Sequence, residues 1–221
     1  MDAVLRSKVS NDLIIFYSKK MSKVILYSQE ISPPCRTVLM VAHAIGLKLQ
    51  IREINLFTKE HLLAEFKKIN PHQTIPVLED DGFVLPDSHA IICYLVDKYA
   101  KDDTLYPKDL QKRKANLVPH KPIFFQQAKS VPEDKMKVWQ TAYAKFNDFL
   151  DGKKWLVGDS YTLADYNCVA TVSSSTAVLN MDEYPNVKAW LERCERELPG
   201  YEECNVPGLN QLITTIRAKI S

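Results

Sequence analysis

The sequence predicts a small α/β domain with a mixed sheet, followed by an all-helical domain, and three observations carry that prediction. Between Met21 and Tyr99, strand-like and helix-like runs alternate in the order β-α-β-α-β-β-α. A tight-turn signal, Asp80-Asp81-Gly82, separates the last two strand-like runs. Beyond Tyr99 the strand patterns stop and only helical spacing remains.

Val24-Ile25-Leu26-Tyr27 is β-branched and aromatic, as a buried strand requires. Ser32-Pro33-Pro34 interrupts it, after which Val38, Leu39, Ala42 and Ile45 recur at helical spacing until Gly46 offers a stop. Leu49 to Ile54 reads as a second strand, and Lys59 to Lys68 as an amphipathic helix with Leu62, Leu63 and Phe66 on its apolar face. Ile75-Pro76-Val77-Leu78 and Phe83-Val84-Leu85 form a hairpin, and Ser88 opens a helix that buries Ile91, Ile92 and Leu95. This is the order of thioredoxin-like folds. Residues 100–107 read as a linker, and 108–221 as the helical domain. Its helices centre on Trp139 to Leu150, on the segment from Thr162 carrying Val169, Val172 and Val178, on Val187 to Leu191, and on Leu209 to Ile220. Thr162 and Asp165 have capping-box spacing, with Tyr161 placed to staple onto Tyr166.

The bulk numbers exclude several classes. Hydrophobic residues at 46% and charged residues at 25% are ordinary for a globular chain of 221 residues. Lys and Arg number 29 against 27 Asp and Glu, a net +2 that leaves no nucleic-acid footprint. No apolar run approaches the roughly 20 residues that span a bilayer. The cysteines (Cys35, Cys93, Cys168, Cys194, Cys204) are scattered without a CxxC pair, and the histidines lack ligand spacing. Reduced cytosolic thiols are therefore expected, with no metal site. Residues 1–20 read as an extension outside the fold; their apolar stretch Leu13-Ile14-Ile15-Phe16-Tyr17 is too short for a secretory signal.

Three loops hold the residues with chemical potential. Ser32 lies where a strand ends and a Pro-headed helix begins, and the unpaired amides of such a helix start favour an anion. From its immediate neighbours alone, a plain N-cap is the commoner role for this serine. In Asn70-Pro71-His72-Gln73-Thr74-Ile75-Pro76 a cis bond before Pro76 would present the Ile75 backbone to an extended peptide. Asp87 and Ser88, at the next helix start, suit the charged end of an amino acid, with His89 beside them.

Taken together, SPPCR, NPHQTIPVLEDDG, DSHAI, LYPKD and DSYTLADY resemble, in order and spacing, the cytosolic glutathione transferases, and among them the insect epsilon class. The resemblance covers nearly all of residues 22–205. It implies the glutathione transferase fold, a thioredoxin-like domain over 21–99, a cytoplasmic homodimer, and glutathione as co-substrate with no further cofactor. It also implies a small hydrophobic electrophile as the second substrate, from xenobiotics or lipid peroxidation, with dehydrochlorination in some members. Ser32 then matches the catalytic serine that donates to the glutathione sulfur. Ile75 matches the residue that pairs with the cysteinyl unit, within the run Gln73, Thr74, Ile75 and Pro76. Asp87 and Ser88 match the γ-glutamyl pair, with His89 assisting. His61 matches a glycyl-end histidine, and a solvent-exposed helix-start histidine is the open alternative. A free thiol with a pKa near ~8.5 must be lowered by about two units to ionise at neutral pH, which corresponds to roughly 2.7 kcal/mol of thiolate stabilisation. A hydroxyl hydrogen bond plus a helix dipole is of that order. Cys35 reads as a buried structural thiol.

Two departures from the family stand out. Epsilon members read NPQHTIPVL, whereas here the order is His72-Gln73, so that Gln73 takes the position of a glycyl-binding histidine. After Lys112-Arg113-Lys114-Ala115-Asn116 the family continues a long helix; here Leu117-Val118-Pro119-His120-Lys121-Pro122-Ile123-Phe124-Phe125 follows at once, and Pro119 and Pro122 bar a helix. A shortened first helix would thin the wall of the electrophile site and the dimer contact, and would expose Phe124 and Phe125. The alternative to an active transferase is therefore a catalytically impaired, transferase-like binding protein. A thiol transferase using Cys35 ranks third.

Overall fold

β1 (Val24–Ser28) is buried along almost its whole length because it is a central strand, flanked on each side. It runs parallel to β2 (Gln50–Glu53) and antiparallel to β3 (Val77–Asp80), which pairs antiparallel with β4 (Phe83–Pro86); the sheet order is β2-β1-β3-β4. Asp81 and Gly82 have φ of 51° and 88°, so the hairpin is closed by the type I′ geometry that the Asp-Gly pair favours. In this computed structural model the described residues are 24–109, 113 and 133–220, excluding the side chains of 133–135, 219 and 220. The expected extension over 1–20 and the expected helix shortening over 114–125, with Phe124 and Phe125, lie outside them.

Two helices cover one face of the sheet. α1 (Pro33–Ala44) starts on Pro33 and ends where Gly46, at φ 71°, donates its amide to the His43 carbonyl while Leu47 donates to Ala42, a left-handed stop for which glycine is suited. α3 (Ser88–Tyr99) packs beside it, and Val38, Met40, Val41, Ile91, Ile92 and Leu95 are buried between them and the sheet. Among the described residues the other face carries α2 (Ala64–Ile69), whose Phe66 meets the Tyr27 ring edge-on at 6.1 Å above Val77.

The expected helix from Lys59 to Lys68 is not one helix. It divides into a 3-10 turn (Glu60–Leu62) and α2, because Leu63 is extended at φ −70°, ψ 152°. Leu62 and Leu63 are 51% and 53% exposed, and only Phe66 of the expected apolar face is buried. A short helix capping the open face of a sheet edge has too little surface to cover three large side chains.

In the helical half, α4 (Glu133–Phe149), α5 (Leu163–Ser175), α6 (Pro185–Glu197), α7 (Tyr201–Cys204) and α8 (Val206–Ile220) follow. α5 ends three residues before Val178, which lies in the turn beyond. The capping box is formed: the Thr162 amide donates to Asp165 Oδ2 at 2.9 Å, and Tyr161 meets Tyr166 edge-on at 6.2 Å. Asp165 also accepts from the Leu156 amide and the Trp190 indole, and so ties α5 to α6. Trp155, Tyr166, Val169 and Trp190 join Leu26, Val38 and Leu95 in one continuous apolar core, with α1 lying against α5 and α7. Among the described residues no helix is long and apolar enough to cross a membrane.

Candidate functional site

Strand register brings the predicted loops to one end of the sheet. Ser28 ends β1 opposite Glu53 of β2; Val77 begins β3 opposite Tyr27; Pro86 ends β4 opposite Val77. The segments holding His61, Ser32, Ile75-Pro76 and Asp87-Ser88 therefore emerge side by side, in the strand order β2-β1-β3-β4. Three strand spacings of about 4.8 Å span about 14 Å. An extended tripeptide, about 10 Å long, fits within that row.

Ser32 occupies the N-cap position of α1 with extended backbone, yet its side chain makes no cap bond, contrary to the plain N-cap role. It is 7% exposed. Its hydroxyl instead engages the Cys35 thiol: burial pushes Cys35 up from the ordinary thiol range, and hydrogen bonds from Ser32 and the Gln29 backbone only partly offset this. Cys35 is fully buried, and its raised pKa disfavours the thiolate that a nucleophile requires. A thiol is a weak hydrogen-bonding partner, so the Ser32 proton remains available to a stronger acceptor. The helix start beside it favours that acceptor being an anion.

On the next strand, the Ile75–Pro76 peptide is cis. Among the described residues no partner takes up the Ile75 amide or carbonyl, which precede the β3 ladder. The loop before it is organised by Asn70, which is 1% exposed: its Nδ2 donates to the Thr74 carbonyl at 2.8 Å and to Thr74 Oγ1 at 3.2 Å, and its Oδ1 accepts from the His72 amide. Gln73 is held at φ 54°, its amide on the Asn70 carbonyl. At the β4 end, Asp87 caps α3, its Oδ1 accepting from the His89 and Ala90 amides at 2.9 and 3.1 Å, and its own φ is 76°. Ser88 is nearly buried, and His89 Nδ1 stands 3.7 Å from Asp87 Oδ1. At the β2 end, His61 lies in the 3-10 turn half-buried, and its Nδ1 is buried without a partner among the described residues. The structure thus brings all nine predicted residues to one edge. Among the described residues no cluster of three His, Cys, Asp or Glu side chains is arranged to hold a metal.

Three supporting residues went unnoticed in the sequence. Asn70 before Pro71 carries a turn signal that would have found it. Gln29, whose Oε1 accepts from the Leu56 amide, ties the Ser32 loop to the segment after β2. Arg36 is completely buried, although a charged residue on a helix ordinarily reads as solvated.

Comparison with known proteins agrees with this fold. Residues 26–103 match the family described as Glutathione S-transferase, N-terminal domain, and residues 102–197 match Glutathione S-transferase, C-terminal domain. Glutathione S-transferase 1 of Manduca sexta is 37% identical over 218 residues, covering 89% of this chain and 98% of that protein. Among solved structures, glutathione transferase E6 of Drosophila melanogaster superposes with a TM-score of 0.82 at 34% identity, covering 90% of this chain and 98% of the other. An epsilon-class glutathione S-transferase from the housefly, Musca domestica, gives 0.79 at 37% identity, covering 89% and 98%.

Proposed function

We propose, from the premise that the chain belongs to the glutathione transferase family and is an enzyme of the insect delta/epsilon type, that Ser32 is the residue that holds the glutathione thiolate. The observation that carries this is the Ser32 hydroxyl itself: it stands at a helix N-terminus, caps nothing, and among the described residues engages a buried thiol. Glutathione lies across the sheet end with its glycyl carboxylate toward His61 and Gln73. Its cysteinyl backbone pairs with Ile75 beside Pro76 and Thr74, and its γ-glutamyl end meets Asp87, Ser88 and His89. The order of these loops along the sheet is the order of the three units of the tripeptide. Ser32 donates to the sulfur, the helix dipole favours its charge, and the thiolate attacks an electrophilic carbon while the leaving group departs with the bonding pair.

Residues 21–99 form the glutathione-binding domain, 100–107 the linker and 108–221 the helical domain that presents a small hydrophobic electrophile. The active unit is a homodimer in the cytoplasm. The first helix of the helical domain is shortened after Asn116, a reading carried by Pro119 and Pro122 in the sequence. The impaired-binder alternative is not favoured, because the relatives matched over almost their full length are transferases.

Retention on immobilised glutathione, paired with turnover of 1-chloro-2,4-dinitrobenzene by wild type and Ser32→Ala, tests the proposal. Retention of both proteins with turnover lost only in the variant is expected. Equal turnover by the two would remove Ser32 from the mechanism.

A further inference from the structure

We infer that Arg36 is a positioning residue for the sulfur site, and that the helical half of the chain sets the placement of Ser32 through it; this rests on the assignment of Ser32 above. Arg36 follows Ser32 by one helical turn, and its own amide donates to the Ser32 carbonyl at 3.1 Å. Its side chain is 0% exposed and spends every arm of its guanidinium. Nη1 donates to the carbonyls of Ile31 at 3.0 Å and Glu30 at 3.3 Å, the two residues just before Ser32. The other arms reach across to the helical half: Nη2 donates to the Ala170 carbonyl at 3.2 Å and to Ser174 Oγ at 2.5 Å on α5, and Nε donates to Asn205 Oδ1 at 2.9 Å between α7 and α8.

Every one of these acceptors is neutral. Burial lowers the Arg36 pKa to about 10, which still leaves the group charged at neutral pH. A buried charge without a counter-ion is a costly way to obtain stability alone, and an apolar side chain of similar size would ordinarily serve a core better. What the guanidinium supplies and an apolar side chain cannot is fixed direction: it clasps two consecutive carbonyls of the loop and refers them to two helices.

A second contact bears on the same loop from the same side. Gly208, in the first turn of α8, lies so close that a Cβ there would sit 2.0 Å from the Glu30 carbonyl oxygen and 3.1 Å from Arg36 Cδ. The Glu30 carbonyl is thus held between Arg36 and the α8 backbone. With the Gln29 side chain on Leu56 and the Ser32 amide on the Gln29 carbonyl, each residue from 29 to 32 is fixed by a named bond.

The test reads the apparent pKa of the bound glutathione thiol, from the pH profile of kcat/KM, in full-length Asn205→Ala, Asn205→Asp and Ser32→Ala, with thermal melts run alongside. Asn205→Ala removes the acceptor of Nε and should raise the thiol pKa by about half a unit to one unit, with kcat falling several-fold and glutathione KM little changed. Asn205→Asp restores an acceptor at the same atom and should return the profile toward wild type. Should Asn205→Ala not fold, Ser174→Ala takes one arm from Nη2 while leaving its bond to Ala170, and should move the pKa in the same direction by less. An unchanged thiol pKa in folded Asn205→Ala or Ser174→Ala overturns the inference, as does a pKa shift that Asn205→Asp fails to reverse. If Ser32→Ala raises the pKa and the Arg36 partners do not, only the inference fails. If Ser32→Ala leaves it unmoved, the assignment of Ser32 fails first.

Discussion

The two ends of the one sheet differ in how completely their polar groups are used. At the end where β3 turns into β4, Asp80 is 5% exposed, and its Oδ2 accepts from Lys98 at 2.6 Å, Tyr99 at 2.6 Å and Tyr94 at 2.9 Å. Its one left-handed non-glycine residue, Asp81, sits in a turn that suits it. At the other end, Lys59, Gln73 and Asp87 all have positive φ, His61 Nδ1 is buried without a partner among the described residues, and the Ser32 hydroxyl caps nothing. One end is satisfied and stabilises the hairpin. The other holds strain and unspent donors, which is the condition of a surface shaped for a ligand.

The comparison is broken most severely at Ser32. Ser32→Ala should lower kcat/KM about 100-fold, the equivalent of roughly 2.7 kcal/mol of thiolate stabilisation, while moving the melting temperature little. Asp80→Ala should do the reverse. It should destabilise by about 1–2 kcal/mol in denaturant titration, a figure discounted because Lys98 is 45% exposed, and leave glutathione KM unchanged. Burial alone would raise the Asp80 pKa, but the bonds from Lys98, Tyr99 and Tyr94 outweigh it and hold the carboxyl below the ordinary range. Its stability contribution is therefore complete above an ordinary carboxylate pKa of about 3.9 and is lost as pH falls through the lower folded value. Melts of wild type and Asp80→Asn across that acid window should converge as pH falls.

Gln73→Gly should relieve a left-handed backbone and gain about 0.5–1 kcal/mol of stability, yet raise glutathione KM several-fold by deleting a donor. A variant that gains neither stability nor KM would show that Gln73 is an ordinary turn residue. The smallest effect is expected from Gln73→His, which restores the family's residue at the glycyl end and should lower glutathione KM about two- to three-fold; initial rates at varied glutathione decide it.

Much of this contrast is legible in the sequence. Val24 to Tyr27, the Asp-Gly turn, the Gly46 stop and the Thr162–Asp165 box each combine a local conformational preference with a hydrophobic period, and all formed where expected. The segment from Lys59 to Lys68 did not, because its helical period carried Leu62 and Leu63 to a sheet face that only Phe66 reaches. The site residues were readable as types at loop ends. Their common edge was not, since it depends on the β1–β3 and β3–β4 registers. Arg36 was the least legible of all: its role exists only through Ala170, Ser174 and Asn205, more than 130 residues away along the chain.

The central claim, that the Ser32 hydroxyl at this unspent end of the sheet stabilises the glutathione thiolate, is met most directly by titrating the ultraviolet thiolate absorbance of the binary complex. Wild type should ionise bound glutathione about two pH units below the free thiol, and Ser32→Ala should return it most of the way to ~8.5. Superimposable titrations of the two proteins would contradict the account.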